Sequence, residues 1–114
     1  MSELFGIVRF KFHEGQVEEF KRLSAQAMEI VRARDTGTLQ YDTYFNADES
    51  EAIVIERFRD SQALLEHGEH VAALTEPIIA TASVTGELLG ELSPKLRAKM
   101  TGDNPQLFRL YKSM

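Results

Sequence analysis

Two chemistries are within reach of the polar residues in this 114-residue chain: metal ligation and proton transfer. It contains three His and no Cys, so disulfides, thiol nucleophiles and thiolate metal sites are excluded. The densest cluster is Glu66, His67, Glu69 and His70. His67 and His70 stand at i,i+3 and can share a helix face. Against a metal site, Gly68 weakens any helix through the cluster, and His13 is the one remaining imidazole. A solvated charged turn is the expectation, with no metal. His67 by itself reads either as a cap on the last carbonyls of a helix or as a group that takes a proton near neutral pH.

Tyr41 and Tyr44 lie on opposite registers of one strand, so a single pocket can receive only one of them. Tyr41 shares a face with Leu39 and Phe45 and suits a core as well as a site. Asn46 falls where a turn begins, a position Asn favours regardless of function. Glu56 and Arg57 read first as making structural ion pairs or caps near the helix, ahead of any catalytic role. No GxGxxG is present, and Gly86 and Gly90 sit in a strand with no helix N-terminus directly after it, so flavin and nicotinamide are not expected. Those two glycines mark a bulge or close packing.

The elements that must position these groups follow from periodicity. Leu4 to Phe12 is rich in aromatic and β-branched residues and reads as a strand, with Leu4, Val8, Phe10 and Phe12 on one face and Phe5, Ile7, Arg9 and Lys11 on the other. Apolar residues on both faces imply that both are covered. Gln16 to Asp35 carries Phe20, Leu23, Ala27, Ile30 and Val31 on one helical stripe, and Gly37 supplies its left-handed stop. Leu39 to Asn46 and Ala52 to Arg59 form a hairpin around the polar Asn46–Glu51 turn. Asp60 or Ser61 caps a helix that Gly68 interrupts. A further helical stretch runs from about Val71 to Ile79, with Pro77 as a kink or boundary. Val84 to Leu92 reads as a fourth strand, Pro94 to Met100 as a short helix with Pro at its first position, and Leu107 to Tyr111 as a last strand.

The order βαββαβ is the split βαβ pattern of an α+β, ferredoxin-like sandwich. A single domain is expected over residues 1–114, with residues 93–114 a short helix–strand extension. Helices cover one face of such a sheet, and a symmetric homodimer is the simplest way to bury the other. Hydrophobic residues make up 43% of the chain and charged residues 27%, an ordinary globular composition. The net charge of −5, with no basic run, disfavours nucleic acid. No apolar stretch approaches the roughly 20 residues of a membrane span, and no signal-peptide pattern opens the chain. A cytoplasmic location fits.

Three segments together, VRFKFHEGQVEEF, GTLQYDTYFNADES and IERFRDSQALLEH, resemble the antibiotic biosynthesis monooxygenase family, which includes quinol monooxygenases and cofactor-free oxygenases of aromatic polyketides. The family pattern falls here on Gly37, Leu39, Tyr41, Glu56, Arg57, Phe58, Asp60, Ala63, Leu64 and His67, and the resemblance covers roughly residues 4 to 75. It implies a dimeric α/β barrel and a monooxygenase that uses neither metal nor organic cofactor. Heme-degrading relatives of the same broad fold need a first-strand Asn, a Trp and an axial His; here the strand position is about Val8, there is no Trp, and the axial position falls near Pro77.

Oxidation without a cofactor requires a substrate that gives an electron to O₂ once deprotonated, such as a phenol, quinol or anthrone. The protein must supply an apolar pocket, a base and donors for the substrate oxygens. The resemblance makes His67 the proton acceptor or orienter, with Tyr41, Asn46 and Arg57 as weaker site candidates, Arg57 against a developing oxyanion. Phe10, Phe20, Phe58 and Leu64 are expected to line the pocket between sheet and helices. A non-catalytic dimer that binds a small apolar molecule, or an isomerase or cyclase with His67 shuttling a proton, explains the same features.

Overall fold

A computed structural model of the chain describes residues 3–114. The elements run β1 (Leu4–Phe12), α1 (Val17–Arg34), β2 (Thr38–Phe45), β3 (Glu51–Phe58), α2 (Ser61–His70), α3 (Ala72–Ile79), β4 (Ala82–Leu89), α4 (Pro94–Lys99) and β5 (Gln106–Phe108). One five-stranded sheet has the order β2-β3-β1-β4-β5. β1 is antiparallel to both β3 and β4, and β5 joins parallel to β4. This is the α+β, ferredoxin-like architecture that the alternation of periods predicts.

The pleat divides the sheet as its alternation requires. Leu4, Val8 and Phe10 of β1 turn to the helices, and so do Ala52, Val54 and Phe58 of β3. Two packed clusters result. One gathers Leu4, Phe58 and Leu88 with Ala63 and Leu65 of α2 and Leu96 of α4. The other gathers Phe10 and Val54 beneath Phe20 of α1, with Phe12, Phe45 and Val84 at its margin. Phe20 is its keystone, its ring 4.9 Å from Phe10 and 4.8 Å from Phe12. On the opposite face, Phe5 and Tyr44 are exposed and Ile7, Ile53 and Ile55 half-buried.

Several local expectations are corrected. Gly68 does not interrupt its helix: α2 runs through it to His70 and is parted from α3 only at Val71. Tertiary packing of Ala63 and Leu65 outweighs the propensity penalty of one glycine. Pro77 lies inside α3. α1 is capped by Asp35 in extended conformation, and Gly37 matters for a different reason than a left-handed turn. A Cβ there would stand 2.5 Å from the Cβ of Ala63, so glycine lets α2 pack against the start of β2. A register shift between Thr38 and Gln40 turns Leu39 to solvent, away from the face it shares with Tyr41 by simple alternation. Gly86 pairs in register with Val8 rather than forming a bulge. The amide of Asn104 accepts from Gly86 N at 2.8 Å and donates to Val84 O at 2.9 Å, which closes that edge of β4. The last strand is shorter than expected, and Leu110 and Tyr111 beyond it are exposed. Among the described residues no helix is long and apolar enough to cross a membrane.

Candidate active site

A cavity of about 260 Å³ opens between the sheet and the helices. Val8, Phe10, Val54 and Val84 form its floor; Phe20, Ala27, Val71 and Ile78 form its walls. Into this apolar space project Tyr41 from β2, Glu56 from β3 and His67 from α2.

His67 is held by a carboxylate from another element. α1 ends at Asp35, whose extended backbone carries its side chain against α2. His67 and His70, one turn apart, both direct Nδ1 at that carboxylate: His67 to Oδ2 at 2.8 Å and His70 to Oδ1 at 2.7 Å. Thr38 donates its hydroxyl to Oδ2 at 2.6 Å. The Asp35 side chain is only 3% exposed. Burial opposes its ionisation, but the bonds from His70, Thr38 and His67 outweigh that and hold its pKa below the usual value. An ionised carboxylate only accepts, so a neutral His67 bonded to it carries its proton on Nδ1 and leaves the Nε2 lone pair free. The ring is wedged edge-on to Tyr41, with centroids 5.3 Å apart, and against Phe58 at 5.2 Å. Every fully buried polar side-chain atom among the described residues has a partner. Nε2, which has no partner among the described residues, is therefore not fully enclosed, and His67 lines the cavity.

Glu56 faces Tyr41 directly across the β2–β3 ladder and Gly6 across β1–β3. A Cβ at Gly6 would stand 3.4 Å from Oε1, in ordinary contact. The residue keeps some exposed surface, and its carboxyl lies in the apolar lining. Loss of hydration raises its pKa; a protonated His67 would lower it in part, and the charge on Asp35 raises it further. Tyr41 is also pushed up, by burial first and then by the charges of Glu56 and Asp35. It stays a neutral phenol that can donate a hydrogen bond.

Of the residues singled out by sequence, Tyr41, His67, Phe10 and Phe20 meet at this cavity. Arg57 does not: strand alternation places it on the opposite sheet face, where Nε donates to Glu3 at 3.1 Å and Nη1 to Gln40 at 3.4 Å. Arg57 thus makes a structural ion pair, as expected, with Glu3, whereas Glu56 makes none among the described residues, because adjacent strand residues point to opposite faces. Asn46 stays in its turn, accepting from Glu51 N at 2.9 Å and donating to Ser50 at 3.1 Å. Phe58 and Leu64 pack in the neighbouring cluster, where Phe58 supports His67 from behind. The charged turn expected at Glu66–His70 is helix, with His67 buried.

The family model for antibiotic biosynthesis monooxygenases matches residues 4–75. No curated protein sequence matches the chain. Among solved structures, MupZ from Pseudomonas fluorescens is 26% identical, with a TM-score of 0.81 over 98% of this chain and 88% of that one. Rv0793 from Mycobacterium tuberculosis is also 26% identical, with a TM-score of 0.70 over 81% of this chain and 97% of that one. SnoaB, a cofactor-independent oxygenase from Streptomyces nogalater, shares the fold at 18% identity, with a TM-score of 0.67 over 77% of this chain and 91% of that one.

Proposed function

The chain belongs to the antibiotic biosynthesis monooxygenase family, and from that premise we propose that it is a cofactor-independent monooxygenase of small phenolic or quinol-type aromatics, acting as a homodimer. The observation that carries this reading is His67, whose Nδ1 is fixed by Asp35 and whose Nε2 is left for an apolar cavity. Such an imidazole is built to take a proton from a bound acid. The cavity, about 260 Å³, lies just below the ~300 Å³ lower end of the range for ligand pockets, which suits a small aromatic.

Nε2 removes the substrate's acidic proton. The resulting anion gives an electron to O₂, the two radicals combine into a peroxide anion, and the imidazolium of His67 returns its proton to give the hydroperoxide. Where the reacting carbon is a methylene, losing water from that hydroperoxide leaves a carbonyl: CH₂ and O₂ become C=O and H₂O. Apolar walls favour this sequence, because a desolvated anion is a better electron donor than a hydrated one. Tyr41 donates to the substrate oxygen as negative charge gathers there. Phe10 and Phe20 supply flat contact surface.

The test is oxygen uptake by metal-stripped protein with hydroquinones, naphthols and anthrones, beside a no-protein blank. Uptake above the blank that falls on the order of 10²-fold in His67→Ala is expected. Uptake unchanged by that substitution overturns the role of His67.

A further inference from the structure

Oxidation as described uses one proton acceptor, yet the cavity holds a second titratable group that it does not need. Glu56 rises from the sheet side, His67 reaches in from the helix side, and Tyr41 stands next to both. A carboxyl whose proton is held more tightly by burial among apolar side chains donates a hydrogen bond when protonated, and an imidazole with a free lone pair is an acceptor. Donor and acceptor on opposite walls of one small cavity match a substrate that carries a carbonyl oxygen beside an acidic carbon.

We propose that Glu56 is the general acid of this cavity, and that with His67 it gives the chain a second, oxygen-independent activity: keto–enol tautomerisation of benzo-fused cyclic ketones that carry an acidic benzylic CH next to the carbonyl. The inference rests on the assignment of His67 as base. In the forward step Nε2 of His67 takes the proton from the carbon next to the carbonyl. The C–H electron pair becomes the C=C bond, the carbonyl π pair takes the proton of Glu56, and an enol forms. His67 is then the imidazolium and Glu56 the carboxylate. The reverse step restores both groups, and no electron leaves the substrate. If the imidazolium exchanges with solvent in between, the carbon recovers a solvent proton.

Glu56 fits the acid role better than Tyr41. Burial raises both, but it brings a carboxyl towards neutrality, where it can be lost and regained, and takes a phenol away from it. Tyr41 is left to orient the substrate.

The probe is 2-tetralone in D₂O under anaerobic conditions, with deuterium incorporation at the benzylic methylene followed by NMR. Native protein is expected to accelerate exchange above the buffer rate, and Glu56→Gln, which keeps the size and loses the acid, to cut that acceleration on the order of 10²-fold. Tyr41→Phe is expected to weaken it by less. Full acceleration retained in Glu56→Gln while His67→Ala loses it overturns the role of Glu56 and leaves His67 as the base. No acceleration by native protein overturns both assignments. Thermal melts of each variant show that the fold is kept.

Discussion

Asp35 and His67 are 32 residues apart in sequence, and the carboxylate does for the imidazole what the ring cannot do alone: it fixes the tautomer and the direction of the lone pair. Asp35→Asn presents an amide that can also donate, so Nε2–H becomes competitive and the base is lost for part of the population. Turnover in kcat is expected to fall on the order of 10²-fold with KM little changed, and Asp35→Glu to recover part of it. Stability carries a second signature. Because the folded pKa of Asp35 is depressed, its stabilisation is present above the ordinary carboxylate value and is lost as pH falls through the folded value. The Tm difference between native protein and Asp35→Asn should therefore shrink on acidification below about pH 4. Glu56 has the opposite sign. Its folded pKa is raised, so its contribution is complete in acid and is lost as pH rises through the folded value. Glu56→Gln should melt above native protein at alkaline pH and alongside it at pH 4. His67 and Tyr41 were visible as candidates in the sequence. Glu56 had a signal that passed unused, as the lone carboxylate alternating with Ala52, Val54 and Phe58. Asp35 had none, because the C-cap of one helix and the last turn of another meet only in three dimensions.

The helices and strands show where periodicity suffices and where it fails. Long amphipathic runs such as α1 declare themselves, since many burial choices agree. Gly68 misleads, because propensity counts a glycine as a break while a helix already packed on both sides of it tolerates the cost. Nothing lies within 4 Å of a Cβ built at Gly68, which has no positive φ. Gly68→Ala should thus stabilise the chain by about 0.5–1 kcal/mol in denaturant unfolding. The same methyl enters the cavity lining beside His67, so KM for a two-ring substrate should rise while the Tm rises too. Phe20 sits at the other extreme: with 1% of its surface exposed, Phe20→Ala should cost about 3–5 kcal/mol, because the rings of Phe10, Phe12 and Phe45 around that position cannot collapse into the gap.

At the scale of the whole molecule, one sheet face is covered by helices and the other offers Phe5, Ile7, Tyr44, Ile53 and Ile55 to its surroundings. Alternating apolar residues on both faces of β1 carried that feature into the sequence; where the C-terminal segment would go was not legible, because LFRLY fits an edge in either subunit. In the structure, Leu107 and Phe108 lie beside Leu88 and Leu89 of the same chain, and Asn104 closes the same edge. A segment that completes its own sheet is not needed to clasp a neighbour. Light scattering after size exclusion should therefore give two chains per particle both for the full chain and for one ending at Met100. The shorter chain should melt lower, since it bares the β4 edge and one side of Leu88. Ile55→Lys acts on the other determinant. If the open face is the two-fold interface of the proposed homodimer, a lysine near its middle buries one unpaired charge from each subunit. That variant should run as a monomer with an intact fold. If instead the chain ending at Met100 is monomeric and Ile55→Lys stays dimeric, the subunits are joined through the tail and not through the sheet.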